Sequence, residues 1–261
     1  MQFVSILLLL ALSLAGCSPA DVREVEAAVA DSATLIAVID EVQAESDLRP
    51  IQAPQKPTPT PVSARRVKNT PGDFDFYVLA LSWSPDYCAS NSNDAQQCSV
   101  GKKLGFVLHG LWPQYKRGYP ADCSNVKLSK DAQAKFPNLY PSPKLYTHEW
   151  NKHGTCSGLK PLDYLALSKS LKEAIAIPAA YRQPTTAFRT TIDDLKASFA
   201  AANSTLGEDA LAVQCSGSGR FLKELYVCFS REGKPIACST ELQLDEAKSC
   251  GRADFLVRNV K

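Results

Sequence analysis

Apolar positions along this chain come in two kinds of run, continuous and periodic. From Phe74 to Ser84 the sequence Phe-Asp-Phe-Tyr-Val-Leu-Ala-Leu-Ser-Trp-Ser is aromatic and aliphatic almost throughout, which predicts a buried strand. Gly105 to Leu111 predicts another, carrying His109 near its end and leaving Trp112-Pro113 at a loop mouth. Ser129 to Phe136 predicts a short helix capped by Ser129. Pro161 to Ile175 predicts a longer one, with Pro161 in the first turn and Leu162, Leu165, Leu171 and Ile175 along one side, and Thr191 to Ala202 predicts a third. Toward the C-terminus, Leu211 to Ser216, Phe221 to Ser230 and Pro235 to Ser239 read as strands. Strands with segregated helices give the α+β class, and the chain shows no internal repeat.

The N-terminal region follows a different pattern. An apolar run from Ile6 to Leu14 leads into Leu14-Ala15-Gly16-Cys17, which reads as an export signal over residues 1–16 with Cys17 as a lipidated N-terminus. The run is too short to span a membrane, and no Lys or Arg precedes it. Residues 17–71 read as a tether: 18–48 carry eight acidic groups against one arginine, and the stretch after them is basic and Pro-rich, with Pro57-Thr58-Pro59-Thr60-Pro61 as a semi-rigid spacer. The folded domain is expected over 72–261, where 23 Lys plus Arg stand against 19 Asp plus Glu. That excess suits a polyanionic substrate without demanding one. Setting Cys17 aside leaves eight cysteines, Cys88, Cys98, Cys123, Cys156, Cys215, Cys228, Cys238 and Cys250, and no C-x-x-C pair. In an exported chain this implies up to four disulfides rather than a metal site.

Chemistry enters through the histidines. There are three, and all fall in two short aromatic-rich stretches: His109 in Phe106 to Pro113, and His148 and His153 in His148-Glu149-Trp150-Asn151-Lys152-His153-Gly154. One histidine alone is more often a satisfied structural group, but scattered structural use gives no reason for all three to gather there. On a helix, Glu149, Lys152 and His153 lie at about 100°, 40° and 140° from His148, so the four groups share one half of the cylinder. Trp150 and Asn151 fall on the other half, where the indole anchors the segment, and Gly154 is a candidate left-handed stop.

Two imidazoles on separate elements, with a lysine and a glutamate beside them and no serine or thiol signature, point to proton transfer around developing negative charge. Attack of a ribose 2′-hydroxyl on the adjacent phosphodiester fits that set. One histidine takes the hydroxyl proton, another protonates the leaving 5′-oxygen, and Lys152 with the third offsets charge on five-coordinate phosphorus. RNA brings its own nucleophile, so no metal and no cofactor is expected. The His-Glu-x-x-His zinc helix is a poor rival, because a partner at i+5 sits about 140° round the helix where i+4 sits at about 40°. A non-catalytic module that binds RNA or another polyanion by stacking on Trp112 and nearby tyrosines is the alternative, and it needs no acid and base.

His109-Gly110-Leu111-Trp112-Pro113 and His148-Glu149-Trp150-Asn151-Lys152-His153-Gly154-Thr155-Cys156 resemble the two active-site segments of the ribonuclease T2 family, in the family's order. The exported setting is similar to its bacterial periplasmic ribonuclease I-like branch. The resemblance covers about residues 72–261, including Leu81-Ser82-Trp83-Ser84-Pro85. It implies a single disulfide-stapled α+β domain with a central antiparallel sheet flanked by helices. The activity it implies is metal-free cleavage of single-stranded RNA to 2′,3′-cyclic phosphates, with slower hydrolysis to 3′-phosphates. Carried over by position, His153 is the general base, His109 the general acid and His148 a phosphate-binding group, while Glu149 and Lys152 stabilise the transition state. Trp112 resembles a base-stacking residue, and Gln114, which stands where some relatives have an acidic residue, joins Tyr115 and Tyr119 as a substrate-binding candidate. The family pairing implies Cys88 with Cys98, Cys123 with Cys156, Cys215 with Cys250, and Cys228 with Cys238. The expected partners are single-stranded RNA and, through the lipid anchor alone, a membrane. The expected state is a monomer in the periplasm, anchored to the outer membrane, with a soluble periplasmic or secreted form as the alternative.

Overall fold

The computed structural model describes residues 69–261. The expected export signal, the lipidated Cys17 and the tether as far as residue 68 lie outside the described residues. Strand β1 (Phe76–Trp83) is buried at every position but Ser82, because it has neighbours on both edges and layers on both faces. On one side it pairs antiparallel with β2 (Phe106–Gln114), which continues through Trp112 and Pro113, opposite Val78 and Tyr77. Those two residues therefore stand inside a strand rather than at a loop mouth. Proline is tolerated because β2 is the outermost strand, where a missing N–H costs no ladder bond.

On its other side β1 pairs antiparallel with β5 (Phe221–Phe229), which also pairs with β4 (Leu211–Ser216). Through the parallel pair Phe221 and Leu256, β5 meets β6 (Phe255–Val257), itself antiparallel to β3 (Phe188–Thr190). Among the described residues the sheet thus has six strands in a mixed arrangement, not a purely antiparallel one. The parallel contact arises because a helix, α8 (Thr240–Ser249), intervenes between β5 and β6 and returns the chain in the original direction.

Around the sheet stand α1 (Ser84–Ser90), α2 (Ala95–Cys98), α3 (Lys130–Ala134), α4 (Pro143–Lys152), α5 (Pro161–Glu173), α6 (Ala179–Arg182) and α7 (Ile192–Ala202). Ser129 caps α3 by accepting the Ala132 N–H at 3.1 Å, and Thr191 caps α7 by accepting that of Asp194 at 3.0 Å. The inward side of α5 is Tyr164, Leu165, Ser168 and Leu171, so Leu162 is exposed and outside the expected stripe. Pro235 to Ser239 is not a strand: Pro235 alone bridges to Phe229, and Ser239 is the N-cap of α8, accepting the Leu242 N–H. Four disulfides join Cys88 to Cys98, Cys123 to Cys156, Cys215 to Cys250 and Cys228 to Cys238, the pairing that the family resemblance implies.

Two local departures from regularity build the site. Opposite β1 the register of β2 skips one residue, since Ala80 faces Gly110 while Leu81 faces Leu108. His109 is the extra residue of this bulge, and bulges re-aim a side chain that the ladder would otherwise fix. The second departure is the end of α4, which stops at Lys152, leaving His153 as its C-cap and not a helical residue. Gly154 does not adopt the left-handed conformation expected of a stop; it opens a short 3₁₀ turn, Gly154–Cys156. Other groups satisfy the last carbonyls: the Asp122 N–H donates to Lys152 O at 3.0 Å and Thr155 Oγ1 to Asn151 O at 2.8 Å. Glycine is needed for space instead, because a β-carbon there would lie 2.5 Å from Trp150 Cε3 and 2.9 Å from Tyr164 Cε1. Both rings are fully buried, and their polar atoms are held by Val126 O and Leu111 O. Gly154→Ala is therefore expected to cost about 1–3 kcal/mol through overpacking, read as a fall in Tm, while an unchanged Tm would show that the turn can shift freely.

Candidate active site

The bulge on β2 and the C-terminal turn of α4 face each other across one buried carboxylate. Glu149, on α4, is 1% exposed. Its Oε2 accepts the Trp112 indole N–H at 2.8 Å. Its Oε1 has no hydrogen-bond partner among the described residues, yet lies 3.7 Å from His109 Nε2 and 3.9 Å from His148 Nε2. Gly110 makes this contact between strand and helix feasible. A β-carbon at Gly110 would fall 2.0 Å from Glu149 Oε2 and 2.2 Å from Trp112 Nε1, in the middle of their hydrogen bond.

Trp112 is the ring that both His109 and His153 stand against. His153 stacks on it at 5.2 Å between centroids with 29° between planes, and His109 meets it edge-on at 5.1 Å. Tyr226, on β5, approaches edge-on at 5.5 Å. One indole face is thus stacked on by an imidazole, and the ring as a whole packs against the small apolar cluster of Phe76, Val78 and Cys228. Tyr119 is exposed and lies 5.9 Å from the His153 ring, with Lys152 Nζ 5.8 Å from its own ring centroid. The sequence-derived set His109, His148, Glu149, Lys152 and His153 is therefore brought together with Trp112 and Tyr119. Gln114 is instead buried at the end of β2, and Tyr115 packs against the main core.

Glu224 is the member that sequence reasoning missed. It sits on β5 with its side chain 5% exposed, and Oε1 is 2.6 Å from His109 Nδ1. The same oxygen accepts Ser82 Oγ at 2.7 Å, and Oε2 accepts the Tyr226 hydroxyl at 2.9 Å. Burial works against its charge, but the hydrogen bond and charge of His109 outweigh it and hold the carboxyl below its ordinary value. An ionised carboxylate only accepts, so His109 Nδ1 carries the proton of that bond and Nε2 faces Glu149. The available signal was a charge inside the apolar run Phe221 to Phe229.

These environments separate the two imidazoles electrostatically. Burial alone would lower His109, but the bond to Glu224 and the charges of Glu224 and Glu149 raise it above 6.5. Burial pushes His153 down to about 3, helped by the charges of Lys152, His109 and His148. Its Nδ1 is buried and has no hydrogen-bond partner among the described residues. Burial likewise lifts Glu149 to about 7, against the pull of His109, Trp112 and Lys152. Beside His109 opens a groove of about 870 Å³, lined by Ser82, Asn91, Ser142, Lys144, Lys223 and Glu224 among others. Chemically the cluster offers one imidazole favoured with its proton and one favoured without it, around a carboxyl oxygen that has no partner among the described residues, next to a cationic side chain.

Residues 74–238 match the model of the Ribonuclease T2 family. The chain belongs to that family. A ribonuclease of Aeromonas hydrophila is 42% identical over 213 residues, covering 76% of this chain and 92% of its own. Ribonuclease I of Escherichia coli K12 is 25% identical over 228 residues, covering 69% and 85%. A variant of RNase MC1 crystallised with 5′-UMP superposes with a TM-score of 0.55 at 21% identity, over 70% of this chain and 97% of that one, a likeness of fold. Membership makes this ribonuclease T2 chain an endoribonuclease, with an α+β domain and four disulfides.

Two buried groups predict opposite pH responses of stability. Between about 6.5 and 3, the unfolded chain binds a proton at His153 that the folded one refuses, so stability falls as the medium is acidified through that window. Between 4.5 and about 7, folded Glu149 keeps a proton that the unfolded chain releases, so stability falls as pH rises. Urea denaturation should therefore show His153→Phe losing less stability than wild type between pH 7 and pH 4, and Glu149→Gln gaining most above pH 7. Parallel pH profiles for all three proteins would contradict the assignment.

Proposed function

We propose that this T2 ribonuclease cleaves single-stranded RNA by metal-independent transphosphorylation, leaving 2′,3′-cyclic phosphates that a slower step opens to 3′-phosphates. The observation that carries the reading is the division of two imidazoles around one indole, His109 favoured in its protonated form and His153 in its neutral form. Groups pushed in opposite directions suit opposite halves of a proton-transfer reaction. His153 takes the 2′-hydroxyl proton as that oxygen bonds to phosphorus, the bond to O5′ breaks, and the departing oxygen takes the proton on His109 Nε2. In the second step the roles reverse: His109 takes a proton from water and His153 returns one to the 2′-oxygen.

The phosphodiester brings a negative charge that the free protein lacks. That charge offsets the repulsion that Lys152, His109 and His148 exert on an imidazolium at His153, so the base strengthens when substrate is bound. Glu149, lifted to about 7, carries a proton for part of its population near neutrality, and in this reading its buried Oε1, 3.7 Å from His109 Nε2, donates to a non-bridging oxygen once the substrate is seated. His148, exposed beside it, and Lys152 offset charge on the five-coordinate phosphorus. The groove beside His109 has room for a nucleotide, and the 5′-UMP bound by the RNase MC1 variant supports a nucleotide site on this fold.

For location, the reading is a monomeric periplasmic enzyme anchored to the outer membrane through Cys17, supported by Leu14-Ala15-Gly16-Cys17 after the apolar run and by the Pro-rich spacer. A soluble periplasmic or secreted form is the alternative, and fractionation of a Cys17→Ser variant separates them.

In the presence of EDTA the purified protein should cut RNA to ends bearing 2′,3′-cyclic phosphate, visible by ³¹P NMR, and should leave DNA of the same sequence intact. His109→Ala and His153→Ala should each lose at least about a hundredfold in kcat with unchanged circular dichroism. Loss of activity on chelation would bring back a metal mechanism, and tight binding without cleavage would bring back a binding module.

A further inference from the structure

We propose that Glu224 is a positioning residue for the leaving-group proton, selecting which nitrogen of His109 faces the phosphate and holding the ring in its charged form. The proposal rests on the reading of His109 as the proton donor. Three adjacent strands build the arrangement: Glu224 on β5 stands opposite Ser82 on β1, and the bulge in β2 turns His109 toward the same carboxylate. With Nδ1–H bonded to Glu224 at 2.6 Å, the ring is fixed with Nε2 toward Glu149 and the site. Without that bond the ring could turn over and present the wrong nitrogen.

The cost of this carboxylate argues for a task. Burying a charge is unfavourable, and a whole buried ion pair replaced by well-packed apolar side chains is often neutral or stabilising. Here Ser82 and Tyr226 supply neutral donors that aim both oxygens, and His109 supplies the balancing charge. Other groups face His109 as well. Glu149 on α4 pulls in the same direction but stands 3.7 Å away without a hydrogen bond, while Lys223 opposes both. His148 and Lys152 on α4, and His153 beyond it, are cationic or neutral and cannot supply the pull. The contact at 2.6 Å therefore dominates.

Glu224→Gln keeps the shape and an oxygen acceptor while removing the charge. On RNA it should lower kcat about tenfold to a hundredfold with KM changed by less than about threefold, within the usual reach of one proton-transfer catalyst. The alkaline limb of the pH profile, which reports loss of the donor's proton, should move to lower pH. Glu224→Asp should recover part of that shift. The separating measurement uses a ribonucleoside 3′-(4-nitrophenyl phosphate), whose phenolate departs without being protonated. On that substrate the Glu224→Gln defect should shrink at least tenfold, in parallel with that of His109→Ala.

If His109→Ala is rescued by the activated leaving group but Glu224→Gln is slowed equally on both substrates, Glu224 is a structural residue and the proposal fails while the donor reading stands. If His109→Ala is not rescued, the donor reading fails and takes this one with it. Should the Glu224 variants not fold, NMR titration of wild-type His109 still decides: a bonded Nδ1 proton with a midpoint above 6.5 supports the proposal, and a midpoint at or below it overturns it.

Discussion

The contact between Glu149 and Trp112 holds a strand and a helix at a fixed separation, and the geometry of the site follows from it. The indole N–H reaches the carboxylate at 2.8 Å only because residue 110 has no side chain to stand between them. Once that bond is made, the indole plane becomes a wall with His153 on its face and His109 at its edge. A buried carboxyl that would be a liability in a purely structural core thereby sits among imidazoles, with one oxygen committed and the other buried without a hydrogen-bond partner among the described residues.

Around this contact the protein gives chemically identical side chains different properties. His109 leans on a second buried carboxylate and is favoured with its proton; His153 has no partner for Nδ1 among the described residues, lies among positive charges and is favoured without one. The difference comes from placement on the chain: a bulge aims one ring toward β5, and the termination of α4 leaves the other over the indole. The disulfide from Cys123 to Cys156, beside the hydrogen bond from Asp122 to Lys152, ties the loop after β2 to the turn that carries His153. That brace limits movement of the turn that carries His153 relative to the loop that follows β2.

Much of this was legible in the sequence, for reasons that can be named. The continuous apolar run of β1, rich in aromatic residues, reads as a buried strand, and Ser129 and Thr191 cap their helices with their own hydroxyls. What escaped was information carried by neighbours. Gly154 reads as a left-handed stop until Trp150 and Tyr164 are seen to crowd it, and Trp112-Pro113 reads as a loop until β2 is known to be an edge strand. Three-residue strands such as β3 and β6 have too little pattern to find. The helical wheel placed Glu149 on an open chemical face, whereas β2 covers it almost completely. Glu224 escaped because its partner lies 115 positions away.

The central claim is that one phosphorus atom is flanked by His109 and His153 with Glu149 beneath it. A crystal structure with an oligonucleotide carrying a 2′-deoxy sugar at the scissile position tests this most directly. The account predicts the phosphate between His109 Nε2 and the His153 ring, with a non-bridging oxygen on Glu149 Oε1. A phosphate bound away from that oxygen, or with both imidazoles on one side of it, would contradict the account.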